Sequence, residues 1–305
     1  MSRETPTGDL DVRWIHGTAP GQQPTDPAWQ VHRYDAGTVI LRQSKDQDYE
    51  APFVFLLFGS ERALLLDTGA TGDGQLRHAV DELVDAWLAD HPVSDYRLVV
   101  AHTHAHGDHV AGDATFADRA RTEVVGTSAA DVQAFFGFGD WPREEVGLDL
   151  GGRHLLVTGI PGHEEASIAV YDEQTGLLLT GDSVYPGRIY VRDFPSYVDS
   201  LDRLVAITEA HHVSHVLGCH IEMTTTPGSD YPLGCRYQPD EPPLQMAPDR
   251  LLAVRDGAHV AARRPGMHVF DDFLILNENG RFAIPLFLLR TLRQRLAARL
   301  SPTRS

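Results

Sequence analysis

The chain has 305 residues, of which 42% are hydrophobic and 23% charged, the balance of a soluble globular protein. A formal charge of −17 argues against a surface built to hold nucleic acid or anionic membrane. Two cysteines, Cys219 and Cys235, are too few for a disulfide framework, and no apolar run approaches the roughly 18 residues that cross a bilayer. Two reduced thiols and an opening without an apolar signal segment point to a cytoplasmic protein.

Residues 1–35, rich in Pro, Gly and Gln ("TAPGQQPTDP"), read as a loosely structured lead-in to a single domain over 36–305. "PFVFLLF" and "RALLLD" read as a hairpin of buried strands. In "GQLRHAVDELVDAWLADHP" the apolar residues Leu76, Val80, Leu83, Val84 and Trp87 keep the spacing of an amphipathic helix, stopped by Pro92. A strand over "YRLVVAHT" follows, then helices over 108–118 and 127–136, then strands at "HLLVTGI", "SIAVYD" and "GLLLTGD". A helix over 196–211 precedes a last core strand, "SHVLGCH". Strands alternating with helices, some joined as hairpins, define a mixed-sheet α/β protein. The segment 221–248 carries six prolines and reads as a long stiff loop walling a pocket. The aromatic stretch "AFFGFGDW" (134–141) reads either as an apolar pocket wall or, as aromatic clusters more often are, as core. A terminal helix over 286–300 is expected to dock Leu289, Leu292 and Leu296 onto the domain, in preference to lying on a membrane.

The apolar runs share one property: each delivers a histidine or aspartate at or just beyond its C-terminal end. The five endings are Asp67, the cluster "HTHAHGDH" (102–109), His163, Asp182 and His220. Loops at one strand edge of an α/β sheet converge, so these residues are expected to meet. His104 and His106 alternate and point to the same side of extended backbone, whereas Asp108 and His109 fall where a helix should begin and aim at a second position. Such a set could serve two metal ions, with His163 and His220 completing one each and Asp182 bridging.

"THAHGDH" (103–109), followed in order by "PGHEEASIAVYD", "LLLTGDSVY" and "VLGCH" and preceded by "LLLDTG", resembles the metallo-β-lactamase superfamily over about residues 50–220. It looks most similar to the glyoxalase II-like and lactonase-like branches, which keep Asp108 and the bridging Asp182. The resemblance implies a four-layer αββα sandwich of two mixed sheets with helices on the outer faces. It implies His104, His106 and His163 on one metal, Asp108, His109 and His220 on the other, and Asp67 beneath the site orienting ligands. Tyr185 would correspond to an oxyanion donor, and Asp108 would also orient the nucleophile. Arg188, Tyr231, Arg236 and Tyr237 are candidate substrate contacts. His102 lies outside the signature and is expected to be incidental. Glu164 and Glu165, where the family often has small residues, would disfavour polyanionic substrates if they face inward, and Ile221-Glu222 makes the wall after His220 unlike the usual one.

Two divalent ions, zinc in the first instance and iron or manganese as alternatives, would generate hydroxide at neutral pH for attack on a small ester, thioester or lactone. One rival reading is a mononuclear Fe(II) persulfide dioxygenase-like oxidoreductase, which needs two histidines and a carboxylate. Another is a phosphodiesterase, disfavoured by the charge and by the 18 and 37 residues that separate His163, Asp182 and His220, too few for an inserted domain. The expected partner is a small molecule, with neither nucleic acid nor membrane.

Overall fold

A computed structural model describes residues 8–300 of the chain. In order come strands β1 (Trp29–Arg33), β2 (Thr38–Gln43), β3 (Phe53–Phe58) and β4 (Arg62–Leu66), helix α1 (Gln75–Asp90), β5 (Arg97–Ala101), a one-turn α2 (Gly107–Val110), β6 (Thr122–Val124) and α3 (Ala129–Phe136). There follow β7 (Glu145–Asp149), β8 (His154–Gly159), β9 (Ile168–Asp172), β10 (Leu177–Gly181), β11 (Arg188–Val191), α4 (Phe194–Ala210), β12 (His215–Gly218) and β13 (Gln245–Met246). The last elements are α5 (Pro248–Arg263), β14 (Met267–Val269), β15 (Leu274–Asn277) and α6 (Ala283–Leu300).

Strands β1 to β6 form one six-stranded sheet in sequence order, and β13-β12-β10-β9-β8-β7 form a second. Both are mixed: β4, β5 and β6 run parallel, as do β10 and β12, and the other neighbours are antiparallel. "FVFLLF" is apolar throughout because both of its faces are buried. Phe53, Phe55 and Leu57 meet Leu155, Val157, Ile168, Val170 and Leu179 between the sheets. Val54 and Leu56 face outward onto Leu76, Val80 and Leu83 of α1. The outer face of the second sheet packs Leu178 and Val216 against α4 and α5. Layer by layer this is helix, sheet, sheet, helix.

Two expectations are corrected and an open one is decided. Residues 8–35 are not a loose lead-in: β1 pairs with β2 along its length, and Trp14, Trp29 and Tyr34 are buried, their rings supplying apolar area that the surrounding polar composition conceals. Residues 1–7 lie outside the described part. The aromatic stretch 134–141 packs Phe135, Phe136, Phe138 and Trp141 against the inter-sheet core instead of walling a pocket. Helix α6 docks, but through Ala283, Phe287 and Thr291, which share one face, while Leu289, Leu292 and Leu296 are exposed. Its orientation is set by polar partners: Arg290 and Gln294 both donate to Asp230 Oδ1, at 2.7 and 2.8 Å, and Phe287 packs edge-on against Tyr190.

A three-stranded sheet, β11-β15-β14, was not expected from the sequence. It stands beside the mouth of the site, because β11 and β15 run parallel with Val191 opposite Asn277. Their next residues, Arg192 and Glu278, therefore emerge side by side, 3.5 Å apart.

Candidate metal centre

The C-terminal ends of β4, β5, β10 and β12, with the loop after β8, meet at one edge of the sandwich, and the seven histidines and aspartates read as ligands lie together there. Ligand atoms of His104, His106 and His163 lie within 4.8 Å of one another, as do those of Asp108, His109, Asp182 and His220. Each group is able to hold an ion. Asp182 stands between them: Oδ2 is 3.9 Å from His104 Nε2 and 3.8 Å from His163 Nε2, and Oδ1 is 3.6 Å from His109 Nε2 and 3.4 Å from His220 Nε2. One oxygen thus faces each triad.

The outward ring nitrogens explain why the inward ones fit a cation. His163 Nδ1 donates to the Tyr190 carbonyl at 2.7 Å, His220 Nδ1 to the Glu50 carbonyl at 3.0 Å, and His109 Nδ1 to Asp67 Oδ2 at 2.9 Å. Each bond fixes the tautomer in which Nε2 carries a lone pair. The inward ring nitrogens then converge: His163 Nε2 is 2.9 Å and His104 Nε2 is 3.0 Å from His106 Nδ1, and His109 Nε2 is 3.4 Å from His220 Nε2. Where the Nε2 lone pairs of His109 and His220 face each other in a buried space, positive charge is needed between them. Asp182 Oδ1, buried and without a hydrogen-bond partner, makes the same demand.

The protonation preferences express this conflict. Burial, with the neighbouring imidazoles, pushes His104 well below its ordinary range, and burial brings His163 down to about 4. For His109 and His220 burial also opposes charge, but the surrounding carboxylates outweigh it and raise both well above the usual value. Burial would raise Asp108 and Asp182, yet His109 and His220 hold both carboxylates far below the ordinary range.

Asp67 works from beneath. Its backbone sits at φ 74, a left-handed conformation unusual for a residue with a Cβ. In that pose Oδ1 accepts from Thr103 N–H at 2.7 Å, and Oδ2 accepts from Thr103 Oγ1 at 2.8 Å and from His109. Cys219 also reaches Asp67, at 3.4 Å, so the Asp67, His109 and Cys219 group spends its donors on itself. His102 has a partner of its own, Asp113 at 2.8 Å, which in turn accepts from Thr68; it braces the turn that carries His109 and does not enter the cluster.

The remaining sequence candidates fare differently. Tyr185 is buried beside His220, but its hydroxyl donates to the Arg188 carbonyl, with Glu222 Oε2 at 3.2 Å. Its only proton is therefore engaged away from the cluster. Accordingly, Tyr185→Phe is expected to lower kcat by less than about tenfold, the scale of one ordinary hydrogen bond; a loss of about a hundredfold or more in steady-state assays would restore the oxyanion role.

Arg188 is buried and spent on Glu222, on Asp230 Oδ2 at 3.4 Å and on the Tyr231 carbonyl at 2.7 Å. Tyr231 accepts from Asp240 N–H, Arg236 donates to the Lys45 and Asp46 carbonyls, and Tyr237 leans on His16. None of these four lines the cavity over the cluster. Its walls are Glu50, Tyr185, Tyr190, Arg192, Glu222 and Glu278, around a volume of about 250 Å³. Of the proline-rich loop only Glu222 reaches it; Pro239, Pro242 and Pro243 line a separate cavity against Trp14 and His16.

A family model described as the metallo-beta-lactamase superfamily matches residues 48–210. The chain belongs to the metallo-β-lactamase superfamily. Among curated relatives, hydroxyacylglutathione hydrolase of Synechococcus sp. (strain JA-3-3Ab) is 29% identical over 52% of this chain and 61% of its own length. The acyl-coenzyme A thioesterase MBLAC2 of Gallus gallus is 28% identical over 64% of this chain and 82% of its own. The chain thus spans about three-fifths of the Synechococcus enzyme. Among solved structures, the mono-zinc form of the metallo-β-lactamase FIM-1 from Pseudomonas aeruginosa superposes with a TM-score of 0.53 at 14% identity, covering 79% of this chain and 99% of that one. TMB-1 gives 0.51 at 14% identity, covering 78% of this chain and 100% of that one. At such identity these two speak for the metallo-β-lactamase fold, two mixed sheets between helices, and for nothing further. The family model shows the superfamily, and the two curated relatives are named a hydrolase and a thioesterase.

Proposed function

We propose that the chain is a binuclear metal-dependent hydrolase of a small ester, thioester or lactone. The observation that carries this reading is the carboxylate of Asp182, with one oxygen toward each of two separate triads of ligand atoms. The hydrolases of hydroxyacylglutathione and acyl-coenzyme A among the relatives support a carbonyl substrate. When bound, two divalent ions, zinc first and iron or manganese as alternatives, would supply hydroxide at neutral pH and an electrophile for the carbonyl oxygen. His104, His106, His163 and Asp182 would hold one, and Asp108, His109, His220 and Asp182 the other.

The chain's own residues do the rest. Asp67 keeps His109 in the tautomer that leaves Nε2 free, and the Tyr190 and Glu50 carbonyls do the same for His163 and His220. Asp108, half-exposed and 3.3 Å from His220 Nε2, faces the cavity, where it can orient a nucleophile. No helix among the described residues is long and apolar enough to cross a membrane. Cys219 and Cys235 are both free, which suits the cytoplasm as the place of reaction.

The test is elemental mass spectrometry on protein purified without chelator, alongside a panel of thioesters, lactones and esters. About two ions per chain are expected, with hydrolysis that is lost on chelation and regained on metal addition. One iron per chain together with oxygen-dependent thiol oxidation would replace this reading by the dioxygenase-like one.

A further inference from the structure

Of the twelve large apolar side chains exposed among the described residues, seven lie between Phe282 and Leu296, so the exposed apolar surface is concentrated on α6. The helix docks through Ala283, Phe287 and Thr291 and turns a second apolar face away from the domain. Leu289, Leu292 and Leu296 fall in one narrow stripe, and Phe282, Leu289 and Leu296 repeat every seven residues, the spacing of a helix–helix seam. Arg293 and Arg295 flank the stripe on its two sides, and Leu286 and Leu288 hold the same two flanks seven residues earlier. Phe282, Leu286, Leu288, Leu289, Leu292 and Leu296 are between 41% and 60% exposed. Together they leave on the order of 600 Å² of apolar surface open, at the top of the range for the largest patch on a monomer.

The chain's own ends do not supply a cover, since residues 1–7 and 301–305 hold one large apolar side chain, Met1. A lipid surface also fits poorly. The chain carries −17, and an interfacial helix sets one apolar face against a polar one, whereas α6 is apolar on two opposite sides.

We propose that the face is covered by a second copy of this chain, the two α6 helices packing antiparallel about a two-fold axis. In that orientation Leu289 of each copy meets Leu292 of the other. Arg293 and Arg295 of each lie over Leu286 and Leu288 of the other, their aliphatic stems covering apolar surface while the charged ends stay in water or, for Arg295, on the Leu233 carbonyl. The face is thus complementary to itself, as a two-fold contact requires. No acidic residue occurs between 281 and 300, so a parallel pair would gather the arginines of both copies at one end. The antiparallel pair sets them at opposite ends. Covering the face on both copies buries on the order of 1,200 Å² in total, the lower limit for a specific interface, which fits a dimer in exchange with its monomer.

The test is sedimentation velocity of the full chain from about 1 to 100 µM, a range that reaches the weak end of such interfaces. Wild-type protein is expected to pass from monomer to dimer across it. Leu289→Glu and Leu292→Glu should each weaken association at least about tenfold, because the glutamate is buried without a partner at the centre of the seam. Val260→Glu, at an exposed apolar position on α5, should leave it unchanged. Circular dichroism and metal content should match wild type in all three, since these side chains point to solvent. A chain monomeric throughout overturns the proposal, and so does a dimer that survives both α6 glutamates, which would place the interface elsewhere. Flotation with vesicles of phosphatidylcholine and phosphatidylserine, lost in Leu292→Glu, would assign the face to lipid and overturn it as well.

Discussion

Asp182→Ala is expected to take metal content below one ion per chain and to abolish measurable turnover. The geometry makes this the most damaging single change. Every other ligand atom belongs to one triad, whereas the two oxygens of Asp182 approach nitrogens of both, at 3.8 and 3.9 Å on one side and 3.4 and 3.6 Å on the other. Losing an outer hydrogen-bonding partner of a ligand typically costs 10–100-fold in metal affinity, and losing the shared ligand itself should exceed that at both positions. The alanine also removes the negative charge that would offset two closely spaced cations. Equilibrium dialysis followed by elemental analysis measures the affinities, and circular dichroism establishes that the chain remains folded. Two ions retained with wild-type turnover would end the binuclear reading.

The parts of this site that could be read from sequence are those at the ends of strongly apolar strands. Asp67, Asp182 and His220 follow runs such as "RALLL" and "LLLTG" whose continuous apolarity marks strands buried on both faces. Glu278 obeys the same rule at the end of "FLILN", and that signal was there to be used. It was obscured because β14, its antiparallel neighbour, is three residues long and only half-buried, so no hairpin pattern announces the sheet. Helix α5 hides for another reason. Its buried stripe is Leu251, Val254, Ala258 and Ala261, with Gly257 against Phe270, and alanines and a glycine give little contrast between its faces. Glu50 carries no local signal at all. It reaches the site because β3 runs antiparallel to β4, which puts the start of the one beside the end of the other. The leucines of α6 misled for the opposite reason: they form a clear stripe, but the surface beneath the helix offers Asp230 to Arg290 and Gln294, and those bonds turn the stripe outward.

At the edge of the sandwich away from the metal ligands, Arg153→Ala is expected to cost about 3–5 kcal/mol of stability, the range for breaking a buried ion pair by removing one partner. Arg153 is 2% exposed, and its guanidinium crosses between the sheets. Nη2 meets Asp172 Oδ2 at 2.6 Å in the second sheet and Thr38 Oγ1 at 2.7 Å in the first, while Nη1 donates to the Gly37 and Phe58 carbonyls at 2.5 and 3.2 Å. Alanine would leave Asp172 charged in a dry environment with only Thr175 Oγ1 and the Gln174 N–H for partners, and would take this donor from the Phe58 carbonyl, while Gly37 keeps the Phe58 N–H. Urea unfolding of the metal-free protein measures the loss directly. The double variant Arg153→Met with Asp172→Leu should recover much of it, because apolar side chains of similar bulk can replace a buried pair without leaving a charge behind. Metal stoichiometry per folded chain should be unchanged in both variants, since Phe58 closes the opposite end of β3 from Phe53, whose N–H bonds to the carbonyl of Cys219 beside His220. A loss below about 1 kcal/mol, no more than one ordinary hydrogen bond contributes, would mean that apolar packing between the sheets closes the sandwich without this clamp.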